Sequence, residues 1–211
     1  MKIGLLLGSF DPIHIAHINI ASCAINSGLC DKVLFVVAKH NPWKKQEPAP
    51  FELRCEMIAA SIGAFGDKCE VCTLEKDIEP PTYSYKVLEK IRDSYPNDEL
   101  FIICGSDTID TVTQWKKFET NIKNKVGFIE VKRNDGAEID NNKVPFIVHK
   151  GYRHDLTNIG FWHIKTQKMD ASSTLVRNMI NKGMNPTPYV NEKVLEIIKK
   201  FNLYTDGEKN I

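Results

Sequence analysis

The chain has 211 residues, 42% of them hydrophobic and 26% charged, with a formal net charge of +1. Such a composition describes an ordinary globular protein, and the near-neutral balance gives no reason to expect a nucleic acid or a membrane surface as a partner. No apolar stretch reaches the length of a membrane span, and the short run after Lys2 ends in a turn too soon for an export signal. A cytoplasmic chain of one domain, residues 1–211, is therefore expected, with a helical part from about residue 170 to its end.

The first element is a buried strand over Ile3 to Leu7, and it feeds the most informative segment of the chain, Gly8-Ser-Phe-Asp-Pro-Ile-His-Ile-Ala-His17. Gly8 lets backbone approach a ligand closely, Ser9 adds a hydroxyl, and the turn reads as a phosphate site. Asp11-Pro12 looks like a helix entry, with Asp11 as cap and Pro12 at the first helical position. A helix running from there puts His14 and His17 on one face at its positive end. Two imidazoles so placed suit the charge of a polyphosphate.

A helical pattern follows from His17 to Ser27, then a strand from Val33 to Ala38. Asn41 to Pro50 carries three prolines and the adjacent Lys44 and Lys45. Phe51 to Phe65 reads as a helix, with Arg54 a candidate to face a cleft. Cys69 to Leu74 alternates like a strand, and its Cys69-Glu-Val-Cys72 spacing is better explained by two buried thiols than by zinc. A helix over Tyr83 to Tyr95 precedes a strand over Leu100 to Cys104, and Trp115 to Asn121 reads as a further helix. Strands are expected at Val126 to Val131, Phe146 to His149 and Phe161 to Ile164, with a polar loop over Asn134 to Val144. Helices over Thr174 to Lys182 and Val190 to Phe201 close the chain. Strands alternating with helices predict an α/β fold, a doubly wound and mostly parallel sheet with helices on both faces. Ligands of such sheets bind outside the carboxyl ends of the strands, so the loops after Leu7, Ala38, Leu74 and Cys104 are expected to share one cleft.

The second chemical signal is Asp170-Ala-Ser-Ser-Thr-Leu-Val-Arg177. Ser172-Ser173-Thr174 reads as the capped start of a helix, whose free amides and hydroxyls form an anion cradle. Arg177 follows Ser173 by four residues and shares its face.

These residues carry a resemblance. Gly-x-Phe-Asp-Pro-x-His-x-x-His over Gly8 to His17 and Ser-Ser-Thr-x-x-Arg over Ser172 to Arg177 resemble the His-x-x-His nucleotidyltransferases, which have a Rossmann-like fold. Within them the chain is most similar to the nicotinate (nicotinamide) mononucleotide adenylyltransferase family. Pro81-Thr-Tyr-Ser-Tyr85, Gly105-Ser-Asp107 with Trp115, and the Leu203-Tyr204 ending carry that finer likeness. Leu7 and Ala16 depart from it, each standing where the nicotinate enzymes usually have Gly.

The resemblance implies transfer of the adenylyl group of ATP to nicotinate mononucleotide, giving nicotinate adenine dinucleotide and pyrophosphate. It implies that His14, His17 and Arg177 are catalytic, and that Gly8, Ser9, Phe10, Gly105, Asp107, Ser172 and Ser173 join them in binding ATP. Lys44, Lys45, Thr82, Tyr83 and Trp115 would hold the mononucleotide, with Trp115 stacked on its cationic ring. Mg²⁺ would be held mainly by substrate phosphates rather than by a protein carboxylate cluster. Alternatives from the sequence are nicotinamide mononucleotide or phosphopantetheine as acceptor, or a silent nucleotide sensor, and homo-oligomerisation is left open.

Overall fold

A computed structural model describes residues 1–39, 47–134, 146–167 and 169–205. Seven strands form one sheet in the order β3-β2-β1-β4-β5-β7-β6. They are β1 (Lys2–Gly8), β2 (Lys32–Val37), β3 (Cys69–Cys72), β4 (Glu99–Gly105), β5 (Gly127–Asn134), β6 (Phe146–Gly151) and β7 (Phe161–Gln167). All neighbours run parallel except β6, which closes the edge antiparallel to β7. The expected α/β sheet is thus present, with strands reaching one to three residues beyond most of the ends read from the sequence. Ala38 and Val126 fall just outside their strands, and so does Leu74. It leaves the sheet for a 3₁₀ turn over Leu74–Asp77.

The helices are α1 (Ile15–Asn26), α2 (Phe51–Ile62), α3 (Ser84–Ser94), α4 (Ser106–Thr111), α5 (Ser173–Asn181) and α6 (Glu192–Lys200). The sheet carries a separate core on each face. Leu6, Phe35, Ile103 and Ile129 pack with α1, α2, α5 and α6 on one side. Ile3, Leu5, Ile102 and Phe128 pack with α3 and α4 on the other. Alternate residues of one strand serve opposite cores, which is why β1 and β2 are near-continuous apolar runs. Burying one such side chain contributes about 1.5–3 kcal/mol. Cys69 belongs to the first core and Cys72 to the second, so the two thiols face away from each other across the sheet.

Two expected elements are corrected. Asp11-Pro12 does not start a helix: α1 begins at Ile15 with His14 as its cap, because the Asp11 carboxylate is engaged elsewhere. The helix expected over Trp115 to Asn121 is displaced. The α-helical residues are Ser106–Thr111, while Lys117 adopts a left-handed conformation (φ 56°) that separates a 3₁₀ turn over Val112–Gln114 from a π turn over Phe118–Ile122.

Chain order 3-2-1-4 reverses direction between β1 and β4, and the crevice of such a sheet opens there. Among the described residues no helix is long and apolar enough to cross a membrane.

Candidate active site

Phe10 sits in the left-handed region (φ 48°), which turns the chain sharply after β1. Its ring is buried, 5.6 Å from the Phe35 ring and 5.0 Å from that of His17. Phe10 therefore supports the turn from beneath, and what it can offer a ligand is backbone. A side chain at Gly8 would press on that ring, at 3.1 Å.

His14 is buried (7% exposed) and His17 half-buried. Their rings stack with centroids 3.7 Å apart, and the His14 backbone N–H donates to His17 Nδ1 at 3.3 Å. An acceptor at Nδ1 selects the neutral tautomer with its proton on Nε2.

The second motif packs against the first. Ser173 Oγ donates to the Pro12 carbonyl at 2.9 Å. Arg177 Nη1 donates to the Asp11 carbonyl at 2.6 Å and lies 3.7 Å from the Asp11 carboxylate, while Nη2 reaches Thr174 Oγ1 at 3.2 Å. Ser173 and Arg177 do share the face that their spacing requires. Ser172 caps its own helix, its hydroxyl accepting from the Leu175 N–H.

Arg54 is corrected. It is 1% exposed, and its guanidinium donates to the carbonyls of Ser9, Ala38, Lys39 and Ala49 at 2.7–3.3 Å. It ties the loops after β1 and β2 together from inside. The buried Glu75 adds a second tie, accepting from the Lys39 N–H at 2.9 Å.

A cavity of about 290 Å³ opens at the carboxyl ends of β1, β4, β5 and β7. Gly105, Asp107 and Trp115 line one side, and Ala16, Asn19 and Ile20 of α1 the other. Leu7 and Ala16, the two departures from the family pattern, both line it. Thr166 and Met169 complete its far end and carried no sequence signal. Among the described residues, none from the loops after Ala38 and Leu74 lines it. Asp107 lies in the first turn of α4 beside Gly105, where a side chain would collide with its carboxylate at 2.7 Å. Cys104 also borders the cavity, but burial, then the nearby Glu130 and Asp107, push its thiol up to about 12. It stays protonated and is no nucleophile.

Tyr83 caps α3 through its backbone. Lys116 Nζ lies 4.4 Å from the centre of the Tyr83 ring, next in sequence to the half-buried Trp115. Thr82 is half-buried. Lys44, Lys45 and His40 lie outside the described residues, as does most of the polar loop expected at 134–144. His149 and His154 are exposed. His163 is not idle: its Nδ1 lies 2.7 Å from Glu130 Oε2, with Lys132 Nζ 3.6 Å from the same oxygen.

Residues 5–179 match the model of the cytidylyltransferase-like family. The chain belongs to that family. Within it, the chain falls with the nicotinate-nucleotide adenylyltransferases, as its motifs indicated. It is 33% identical over 204 residues to a probable nicotinate-nucleotide adenylyltransferase of Thermus thermophilus, covering 97% of this chain and 100% of that one. It is 29% identical over 205 residues to the one from Flavobacterium johnsoniae, covering 97% and 99%. The fold is similar to that of Plasmodium falciparum nicotinic acid mononucleotide adenylyltransferase complexed with NaAD, at a TM-score of 0.73, 22% identity and coverage of 96% and 97%.

Proposed function

We propose that the protein transfers the adenylyl group of ATP to nicotinate mononucleotide, forming nicotinate adenine dinucleotide and pyrophosphate. One observation carries the reading. Ser173 and Arg177 converge on the Asp11-Pro12 backbone, beside the stacked imidazoles of His14 and His17. Hydroxyl, guanidinium and imidazole thus gather around the turn that follows β1, and a polyphosphate needs donors from more than one side. The relatives' names and the family's chemistry agree with this reading.

In the reaction a phosphate oxygen of the mononucleotide attacks the α-phosphorus of ATP. That P–O bond forms as the bond to the bridging oxygen of pyrophosphate breaks. Such transfers gain mainly from alignment and from neutralising charge on the transferring and leaving groups. His14 and His17 bind near the α-phosphate, Arg177 with Ser172 and Ser173 near the β- and γ-phosphates, and Gly8, Ser9 and the Phe10 backbone line the approach. Gly105 and Asp107 contact the nucleotide. Trp115, Thr82 and Tyr83 take the pyridine end, and Lys44 and Lys45 are the candidates for the mononucleotide phosphate. A divalent metal, Mg²⁺, accompanies ATP. In this reading the ion is held mainly by phosphate oxygens and water. Residues 1–211 act as one unit in this scheme, the part from about residue 170 completing the ATP site.

The test is pyrophosphate release from Mg²⁺ and ATP with nicotinate mononucleotide, nicotinamide mononucleotide or phosphopantetheine. Fastest turnover with nicotinate mononucleotide is expected. Turnover with phosphopantetheine alone, or tight ATP binding with no release, would overturn the assignment.

A further inference from the structure

The Leu203-Tyr204 ending lies outside every role assigned so far. After α6 the chain reverses at Asn202 (φ 48°), where the Leu203 N–H reaches back to the Ile198 carbonyl at 2.9 Å. Tyr204 then also takes a left-handed conformation (φ 64°). A bulky residue there stores backbone strain, which persists only where contacts hold it. The contact is with the phosphate turn: Tyr204 Oη donates to Asp11 Oδ1 at 2.8 Å.

The same oxygen accepts from the Ala49 N–H at 3.0 Å, so Oδ1 is occupied by two donors. Oδ2 is the oxygen turned toward the guanidinium of Arg177, at 3.7 Å, while the Asp11 carbonyl receives Arg177 Nη1. Asp11 is thus a buried junction, holding Tyr204 on one side and Arg177 on the other. Burial and the adjacent carboxylate raise Tyr204 far above the ordinary phenol range, so its hydroxyl remains a donor at any working pH.

From this chain of contacts we propose that Tyr204 is a positioning residue for the triphosphate. Acting through Asp11, it fixes the carboxylate rotamer that holds the Arg177 guanidinium in place. The proposal rests on the reading that Arg177 binds the phosphates of ATP. In this role Tyr204 acts through Asp11. It removes rotamers that Asp11 and Arg177 would otherwise sample before ATP arrives, and the cost of that ordering is met in the folded protein rather than at binding.

The experiment measures the dissociation constant of Mg·ATP by calorimetry, and kcat where turnover is present, in the parent, Tyr204→Phe, Asp11→Asn, the double variant and Arg177→Ala. Tyr204→Phe keeps the ring and its packing, and thermal melting checks that each variant is folded. The expected result is about tenfold weaker Mg·ATP binding in Tyr204→Phe, with kcat changed less than threefold and affinity for the mononucleotide unchanged. In Asp11→Asn the same Tyr204→Phe change has less than a twofold effect, because the carboxylate it orients is gone. Parent-like ATP affinity in Tyr204→Phe, or effects of the two substitutions that simply multiply, overturns the proposal. Loss of fold in Tyr204→Phe also overturns it, since the tyrosine is then needed for the structure itself. Parent-like ATP affinity in Arg177→Ala instead overturns the reading of Arg177 on which the proposal stands.

Discussion

His14 caps α1 through its backbone while its ring lies face to face with that of His17, centroids 3.7 Å apart. The helix start thereby holds both imidazoles in one place, and the edge of the Phe10 ring holds His17 from the other side. A preorganised donor aimed at developing charge is worth about a hundredfold or more in turnover. His17→Ala should therefore lower kcat by about that factor with a parent-like melting curve. Activity within about fivefold of the parent would take His17 out of the reaction.

Arg54→Met tests the buried tie between the loops. It leaves the carbonyls of Ser9, Ala38, Lys39 and Ala49 without their donor, and each unsatisfied buried group costs about 1–3 kcal/mol. Because these costs are not additive, a loss of about 3 kcal/mol is expected, read as a fall in Tm on the order of 10 °C. A melt within about 2 °C of the parent would show that the four contacts contribute little.

Trp115 lines the cavity and also packs against the α3/α4 core. If its indole stacks on a cationic pyridine, Trp115→Ala should raise the KM for nicotinate mononucleotide about tenfold and that for ATP less than twofold. A lower Tm with both KM values unchanged would assign the ring to the core alone.

His163 gives a pH dependence. Burial first, then the charge of Lys132, lowers its pKa from 6.5, while the partner Glu130 opposes them. The unfolded chain accordingly binds more protons than the native state around and below the ordinary histidine pKa. The sign follows: stability is retained above about pH 6.5 and declines as the pH falls through that value and below. His163→Gln should flatten the decline in urea midpoint between about pH 7 and 5. Parallel curves for the two proteins would show that another group governs it.

The sheet was legible because a strand buried on both faces must be apolar at nearly every position, as Val33 to Val37 are. α4 was not legible. Ser106-Asp-Thr-Ile-Asp-Thr111 consists mostly of residues with weak helix propensity and makes fewer than two turns. Trp115 to Asn121 misled for the opposite reason: its spacing of apolar residues is helical, but Lys117 takes a conformation no pattern announces. The His14, His17 and Arg177 set could be read from local motifs. Arg54 could not, since an arginine on a helix is usually solvated and only the loop carbonyls around it explain its burial. The pairing of Tyr204 with Asp11 joins positions 193 residues apart, and no local pattern carries such a separation.

That wide separation also bears on how the protein is made. A ribosome delivers the Gly8 to His17 turn first, whereas Arg177 and Tyr204 emerge 166 and 193 residues after the Asp11 they meet. Until then Asp11 lacks both of these partners. The hold on Asp11 from its two sides is thus made by segments synthesised long after the turn itself, and it is complete only once Tyr204 has been added.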